Sequence, residues 1–182
     1  MTGLPAMPAL FTEGAPSSPV RVLIFEDLQC PDCAGFRLML DEKLLPRYGG
    51  KVTFEHRDFP LAKHAWARQA AIAARYLEDA RPGAGVAYRR HCFDHLSEIT
   101  ADNFTDRLAS FATGKGLDPG KAIASLADSR LAAQVEEDFQ DGVARGIAHT
   151  PTILVNGHPF VEHFEFEDVA KAIDAELAAA RY

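Results

Sequence analysis

Cysteine, tryptophan, basic charge and long apolar runs are all scarce in this 182-residue sequence. No stretch approaches the roughly 18 consecutive apolar residues that cross a bilayer, so we expect no membrane insertion. Lysine and arginine are outnumbered by acidic residues, and the net charge of -7 argues against nucleic acid or an anionic membrane as a partner. Three cysteines are too few for a small disulfide-stapled protein, and their odd number leaves one without an intramolecular mate.

The N-terminal residues 1–19 lack a charged segment followed by a long apolar one, so no secretory leader is visible. They contain four of the eleven prolines, and we predict a flexible arm. Two locations stay open at this point. A periplasmic or other extracytoplasmic location is expected if a leader has been removed, and a cytoplasmic one if Met1 is the natural start.

A strand, a helix and a second strand are predicted after this arm. Residues 20–25 form a nearly continuous apolar run rich in β-branched side chains, which is typical of a buried central strand. Residues 31–48 repeat apolar side chains at three- and four-residue steps and begin with a proline, as helices often do. Residues 51–56 alternate, which predicts a strand with Thr53 and Glu55 facing outward.

Helical spacing dominates the middle of the chain, where no convincing strand pattern occurs. Turn residues divide this part into five predicted helices, near residues 61–76, 86–96, 104–111, 122–126 and 131–143. We therefore predict that residues 61–146 form a helical insertion. It separates residues 20–60 from residues 147–182, which together would form one domain.

The β pattern returns near the C-terminus. Residues 151–155 predict a strand and Asn156–Gly157 a hairpin turn. Residues 158–161 predict an edge strand because Pro159 cannot donate a ladder hydrogen bond. A terminal amphipathic helix follows. The order βαβ, several helices, ββα predicts an α/β protein with a thioredoxin fold whose two halves are separated by the helical insertion.

Two cysteines, Cys30 and Cys33, lie at the predicted start of the first helix, on either side of Pro31 and Asp32. Cysteines at positions i and i+3 are close enough to form a disulfide without unwinding the helix. The partial positive charge and free N–H groups of a helix N-terminus favour a thiolate on Cys30, and thiolates attack disulfides. We predict that Cys30 forms a mixed disulfide and that Cys33 resolves it.

A zinc-binding interaction module is the main alternative for such a cysteine pair. A tetrahedral zinc site needs two further cysteine or histidine ligands. The best candidates are His91 and His95, which lie on either side of Cys92. The sequence has no second pair of ligands at the spacing that zinc fingers use. We predict no metal, and we expect Cys92 to be a buried small hydrophobic residue.

Several segments, in the same order, resemble the DsbA-like thiol–disulfide oxidoreductases. Residues 25–33, FEDLQCPDC, are similar to the family's F-x-D-x-x-C-P-x-C, and residues 57–61, RDFPL, to its exit from the second strand. Residues 146–157, GIAHTPTILVNG, are similar to its late G-V-x-G-T-P-T-x-x-V-N-G segment. A turn within the insertion, residues 116–118, also matches. The resemblance covers nearly the whole chain.

The resemblance implies further roles for residues near the cysteine pair. Pro151 would be the family's cis-proline, with Thr150 before it, in a loop that packs against the cysteines and offers backbone groups to a bound polypeptide. An acidic group below the disulfide would relay protons to Cys33 during exchange. Asp27 and Glu26 are the candidates, and Asp27 matches the motif better.

Two positions depart from the family pattern. Asp32 stands where strongly oxidising relatives have histidine, and a carboxylate beside Cys30 should raise the pKa of that thiol. We therefore expect a less oxidising enzyme than the strongest family members. His149 stands where the family usually has glycine. It either lies near the sulfurs, where it would offset Asp32, or is a solvated loop histidine.

The function that these observations predict is dithiol–disulfide exchange with cysteine-containing polypeptide substrates, assisted by an unidentified redox partner. The redox-active pair Cys30–Cys33 carries the electrons, so we expect no organic cofactor. The net direction, oxidation, reduction or isomerisation, depends on the partner and on the redox poise of the compartment. A glutathione-dependent isomerase or transferase of the same fold is a further alternative. Such enzymes generally have serine at the position of Cys30, and Cys33 argues against this alternative.

Overall fold

A computed structural model describes residues 10–180 of the chain. A five-stranded mixed sheet lies at its centre, with the strand order β1-β3-β2-β4-β5. Strands β2 and β3 are parallel, and every other neighbouring pair is antiparallel. The strands are β1 Phe11–Gly14, β2 Arg21–Glu26, β3 Thr53–Asp58, β4 Thr152–Val155 and β5 His158–Val161. The order and directions confirm the predicted α/β thioredoxin fold.

The hairpin of β4 and β5 follows the predicted pattern. Asn156 and Gly157 both adopt positive φ values, 45° and 94°, as a two-residue turn between twisted strands requires. Strand β5 is at the edge of the sheet, where the missing N–H of Pro159 costs no inner ladder bond. This hairpin places residues 149–151 immediately before β4, beside the end of β2.

One face of the sheet is covered by the first and last helices. The first begins as α1, Pro31–Met39, continues through a π-helical stretch, Leu40–Leu44, and ends as α2, Leu45–Tyr48. Pro46 has no N–H for an α-helical bond at this point, and the neighbouring Leu45 N–H instead donates to the carbonyl of Leu40. The last helix is α8, Phe166–Ala179. The apolar core under these helices includes Val22, Ile24, Phe36, Phe54, Ile153, Val169 and Ile173.

The five predicted helices between β3 and β4 are present, and they share a core with Phe11, Leu28 and the two cysteines of the first helix. They are α3 Ala67–Ala80, α4 Ala84–Asp94, α5 Phe104–Gly114, α6 Pro119–Ala124 and α7 Ser129–Ala144. Trp66, stacked on Phe104 with ring centroids 5.9 Å apart, is part of this core. Helix α7 also covers the second face of the sheet, where Phe139 stacks on Phe59.

Three expectations about local structure are wrong. The predicted arm contains strand β1 at residues 11–14, which the sequence did not signal because its stability depends on pairing with the distant β3; residues 1–9 of that arm lie outside the described residues. Thr53 and Glu55 are buried, since β3 is an inner strand with both faces covered. The first insertion helix begins at Ala67, and residues 61–66 form a loop.

Candidate active site

Cys30 lies in the turn between β2 and α1, at the N-cap position of the helix. Its φ and ψ of -86° and 124° are extended, and Pro31 occupies the first turn, as predicted. The Cys30 N–H donates to the carbonyl of Asp27 at 3.0 Å, and the Cys30 carbonyl accepts from the Ala34 N–H at 3.1 Å. The Cys30 sulfur is therefore held at the end of the helix where unpaired N–H groups point outward.

The thiol of Cys30 is acidic. A hydrogen bond from the Cys33 thiol lowers its pKa from 9.0 to about 6, helped by the Thr150 side chain and by the backbone N–H groups of Cys33 and Asp32. Burial opposes this shift, because Cys30 is only 5% exposed. At neutral pH the Cys30 side chain is consequently a thiolate.

Cys33 has the opposite character, one helical turn away. It is fully buried, and burial raises the pKa of its thiol well above the ordinary value. The hydrogen bond to Cys30 and the negative charges of Cys30 and Glu26 act in the same direction. The backbone N–H of Asp27 donates to the Cys33 sulfur at 3.5 Å and lowers the pKa only in part. Both cysteines are free thiols in the structure.

The loop before β4 packs directly on Cys30. Its Thr150–Pro151 peptide bond is cis, and the Thr150 carbonyl lies 3.5 Å from the Cys30 sulfur, where it accepts a hydrogen bond from the protonated form of Cys30. The Thr150 hydroxyl is buried and has no other partner among the described residues, so it is available to donate to the Cys30 anion. The structure thus brings together the two segments that the motifs singled out, although 120 positions separate them.

A cavity of about 360 Å³ opens beside Cys30. The loop that follows β3 forms one wall and the loop before β4 forms the other. His149 lies on the second wall with its side chain 60% exposed, where its Nδ1 is 3.3 Å from a carboxylate oxygen of Glu162. His149 is thus a solvent-facing group at the rim of the cavity. The lining residues are Cys30, Asp32, Leu61, Ala62, Lys63, Ala148, His149, Thr150 and Glu162.

Asp27 joins the cysteine turn to the loop of residues 61–66. Its buried carboxylate accepts hydrogen bonds from the N–H groups of Gln29 and Leu61, both at 2.7 Å, and from Nδ1 of His64 at 2.8 Å. The Gln29 side chain in turn accepts from the Trp66 N–H at 2.8 Å. These bonds hold the loop of residues 61–66 against the cysteine turn. His64 has no distinguishing pattern in the sequence, and only its position beside Asp27 in space identifies it as part of the site.

Glu26 is the second predicted acid, and its carboxylate is held in the ionised form. Although burial opposes ionisation, the charges of His56 and Arg89 lower the pKa of Glu26 to about 2. One carboxylate oxygen accepts from His56 Nδ1 at 2.9 Å and from Arg89 Nη2 at 2.9 Å. The other oxygen is buried and has no hydrogen-bond partner in the described part of the chain.

Glu26 belongs to a network of buried charged groups that no local sequence pattern predicts. His56 bridges Glu26 and Glu13, with 2.9 Å on each side, and Arg89 bridges Glu26 and Asp58. The protein interior tolerates this many charges because each charged group has a partner of opposite sign beside it. The buried or nearly buried members are Glu13, Glu26, Arg37, Glu55, His56, Arg57, Asp58, Arg75, Arg89 and Asp138.

The third cysteine lies in α4, apart from the site. Cys92 is fully buried, and burial raises the pKa of its thiol to about 12. His91 packs against Phe111 with the two rings tilted, and His95 pairs with Glu98 at 3.2 Å. Within residues 10–180, no three cysteine, histidine or acidic side chains are placed to hold a metal ion together. The zinc alternative therefore finds no ligand set in the described structure.

Comparison with known proteins gives relatives of two kinds. Over 92% of its length the chain is 26% identical to a Na(+)/H(+) antiporter NhaA 3 from Salinispora tropica. It spans only about a quarter of that protein and of the similar antiporters it matches. It is also 23% identical to disulfide bond formation protein D of Bacillus subtilis, over 97% of the chain and 81% of that protein. None of the helices in residues 10–180 could cross a membrane.

Solved structures and a family model agree on the fold. The structure superposes on oxidised BdbD from Bacillus subtilis with a TM-score of 0.81, at 24% identity and 92% coverage of both chains. It superposes on α-DsbA1 from Wolbachia pipientis with the same TM-score, at 19% identity, covering 97% of this chain and 94% of that one. A family model described as Thioredoxin matches residues 8–175, most of the sequence. The chain therefore belongs to the thioredoxin family.

Proposed function

We propose that this protein exchanges disulfides with cysteine-containing polypeptides through Cys30 and Cys33, as a protein disulfide oxidoreductase. The observation that carries the proposal is the opposite character of two adjacent thiols. Cys30 has a pKa of about 6 and borders a cavity, whereas Cys33 is fully buried with a raised pKa. A disulfide formation protein of similar length and the DsbA structures of the same fold support it.

The reaction begins at the Cys30 thiolate. In the reducing direction, the Cys30 sulfur attacks a substrate disulfide, a mixed disulfide forms, and one substrate sulfur leaves as a thiolate. The Cys33 thiol then loses its proton and attacks the Cys30 sulfur. The second substrate sulfur leaves, and the two electrons of the Cys30–Cys33 pair are now in the substrate dithiol. The oxidising direction is the reverse, and an unidentified redox partner restores the starting state.

The proton of Cys33 needs an acceptor, and the two buried acids differ in their suitability. Glu26 is a weak base because His56 and Arg89 hold its pKa near 2. Its charge instead helps to keep Cys33 protonated, and the Cys30 charge that acts in the same direction is lost when the mixed disulfide forms. We assign the relay to Asp27, whose own N–H contacts the Cys33 sulfur and whose carboxylate leads to the half-buried His64. Equal rates of mixed-disulfide resolution in Asp27→Asn and the wild type would refute this assignment.

Two assays test the main proposal, the reduction of insulin and the oxidation of reduced ribonuclease. We expect the wild type to be active in at least one of them and Cys30→Ser to lose that activity by at least about a hundredfold, since the nucleophile is gone. Cys92→Ser is the matched control, because it removes one buried thiol outside the site. Full turnover by a folded Cys30→Ser variant would contradict the proposal.

The glutathione-dependent alternative is not favoured. The presence of Cys33 one helical turn from Cys30, where its thiol lowers the pKa of Cys30, supports a two-thiol mechanism over this alternative.

A further inference from the structure

A second groove adjoins the catalytic cavity on the far side of Asp32 and Glu162, the two residues that line both. Its volume is about 270 Å³, and it runs between α1 and the segment that connects β5 to α8. A polypeptide whose cysteine reaches Cys30 would therefore lay its neighbouring residues over this groove. The lining residues are Pro31, Asp32, Gly35, Phe36, Met39, Glu162, His163, Phe164 and Glu165.

The floor of the groove is apolar. The ring of Phe36 is buried and meets that of Phe164 edge to face, with centroids 5.7 Å apart. Met39 is partly buried against the same core. Gly35 leaves one side open, because a Cβ at this position would have no neighbouring atom within 4 Å. An aliphatic chain of several methylene groups fits such a floor.

The rim of the groove is acidic and largely uncompensated. Asp32 and Glu165 form no ion pair within residues 10–180, and the Glu165 side chain caps nothing at the start of α8. Among the residues that the structure describes, Glu162 pairs only with His149, which is itself mostly exposed. His163 is the one basic residue that lines the groove. Lys63 lines the neighbouring cavity beside Cys30 and does not line the groove.

Glu162 is held in position relative to Cys30. Its φ of 52° lies in the left-handed region, which a residue with a long side chain adopts at a cost. Its N–H donates to the carbonyl of Pro151 at 2.8 Å, in the same loop whose Thr150 carbonyl contacts Cys30. The strained conformation thus keeps a carboxylate at the junction of the cavity and the groove.

We propose that the groove binds a lysine or arginine side chain of the substrate polypeptide, close in sequence to the cysteine that reacts with Cys30. The methylene stem would lie on Phe36, Met39 and Phe164, and the cationic head would meet the carboxylates of Asp32, Glu162 and Glu165. This inference rests on the proposed function and adds the substrate class that the site prefers.

A set of three disulfide-linked peptides that differ at one residue beside the cysteine tests the inference. The residue is lysine, norleucine or glutamate, so that norleucine keeps the aliphatic stem without the charge. With reduced wild-type protein at low salt we expect the lysine peptide to react about threefold to tenfold faster than the glutamate peptide, and norleucine to be intermediate. Added salt should reduce the lysine-to-glutamate ratio.

Removal of the rim charges should remove the preference. In the double variant Glu162→Gln/Glu165→Gln we expect the lysine-to-glutamate ratio to fall toward one. In Glu165→Gln alone, the logarithm of this ratio should fall by about half as much. Glu167→Gln is the matched control, because Glu167 is exposed, carries the same charge and does not line the groove. Its ratio should equal that of the wild type.

Two results would overturn the inference. A wild-type ratio of one, or a ratio that the double variant leaves unchanged, would show that the groove does not select basic residues, while exchange itself continues. Failure of the wild-type protein to react with a small uncharged disulfide would be a different outcome. It would refute the proposed function and this inference together.

Discussion

The opening turn of α1 and the last turn of α4 each hold a buried cysteine, and the two thiols differ completely. Cys30 is 5% exposed and Cys92 is fully buried, yet the pKa of Cys30 is about 6 and that of Cys92 about 12. Around Cys30, donors from Cys33, Thr150 and the backbone outweigh the cost of burial. Around Cys92, burial dominates, and the hydroxyl of Tyr88 compensates it only in part.

The difference teaches that burial alone does not make a cysteine inert. In the interior of a helix the backbone N–H groups are already paired, whereas at the N-terminus they remain available to an anion. Cys30 also receives side-chain donors from two separate segments. The reactivity of a thiol in this protein is therefore decided by the number of donors that meet it, more than by its exposed area.

The largest expected effect is on the alkylation rates of the two thiols in the reduced protein. With pKa values near 6 and 12, the thiolate fractions at pH 7 differ by several orders of magnitude, so Cys30 should react with iodoacetamide at least about 10⁴-fold faster than Cys92. The Cys30 rate should rise with pH and level off above about pH 7, because the charged form predominates above the pKa. Mass spectrometry of the labelled peptides measures both rates. Comparable labelling of Cys30 and Cys92 in the folded protein would refute the proposed difference in acidity between the two thiols.

A smaller effect is expected when the main donor to Cys30 is removed. Cys33→Ala deletes the hydrogen bond that contributes most to the acidity of Cys30, so the midpoint of Cys30 alkylation should move above pH 6. The variant should also accumulate a mixed disulfide with substrate and lose at least about a hundredfold in turnover, because no second thiol resolves the intermediate. Gel analysis without reductant detects the intermediate. An unchanged alkylation midpoint would show that the backbone N–H groups and Thr150 are sufficient to keep the pKa of Cys30 low.

The smallest effect concerns Asp32, the exposed neighbour of Cys30. We expect Asp32→His to stabilise the thiolate and to raise the reduction potential by about 30 mV, a tenfold change in the equilibrium with glutathione. The wild type should be less oxidising than the strongest relatives. Equilibration with glutathione buffers measures both proteins, and Glu167→Gln serves as a control for the loss of one negative charge. A wild-type potential near -120 mV would contradict this expectation.

Local sequence patterns were sufficient to predict the order of the helices and strands. The apolar run of β2, the helical spacing after Pro31 and the Asn156–Gly157 turn each depend on a few neighbouring residues, and the structure confirms all three. Strand β1 was missed for the opposite reason. Its four residues carry little signal of their own and become a strand by pairing with β3, some forty positions away.

The buried charges are the clearest failure of pattern reading. An alternating strand predicts that Glu55 faces solvent, but α7 covers that face and Arg57 and Arg21 pair with the carboxylate. His56, Asp58 and Arg89 would each be assigned to the surface by residue type alone. Their burial is stable only because partners from separate helices and strands converge, and no local window of sequence contains all of them.

The sequence by itself determined that two cysteines would lie one turn apart at the start of a helix after an inner strand, because proline, spacing and apolar runs act over a few residues. Only the tertiary structure decided how acidic Cys30 is, which acid contacts His64, and where carboxylates surround the substrate cleft. These properties arise from groups such as Asp27 and His64, or Cys30 and Thr150, that are far apart along the chain. Electrostatic energies depend on distance in space, and the fold sets that distance.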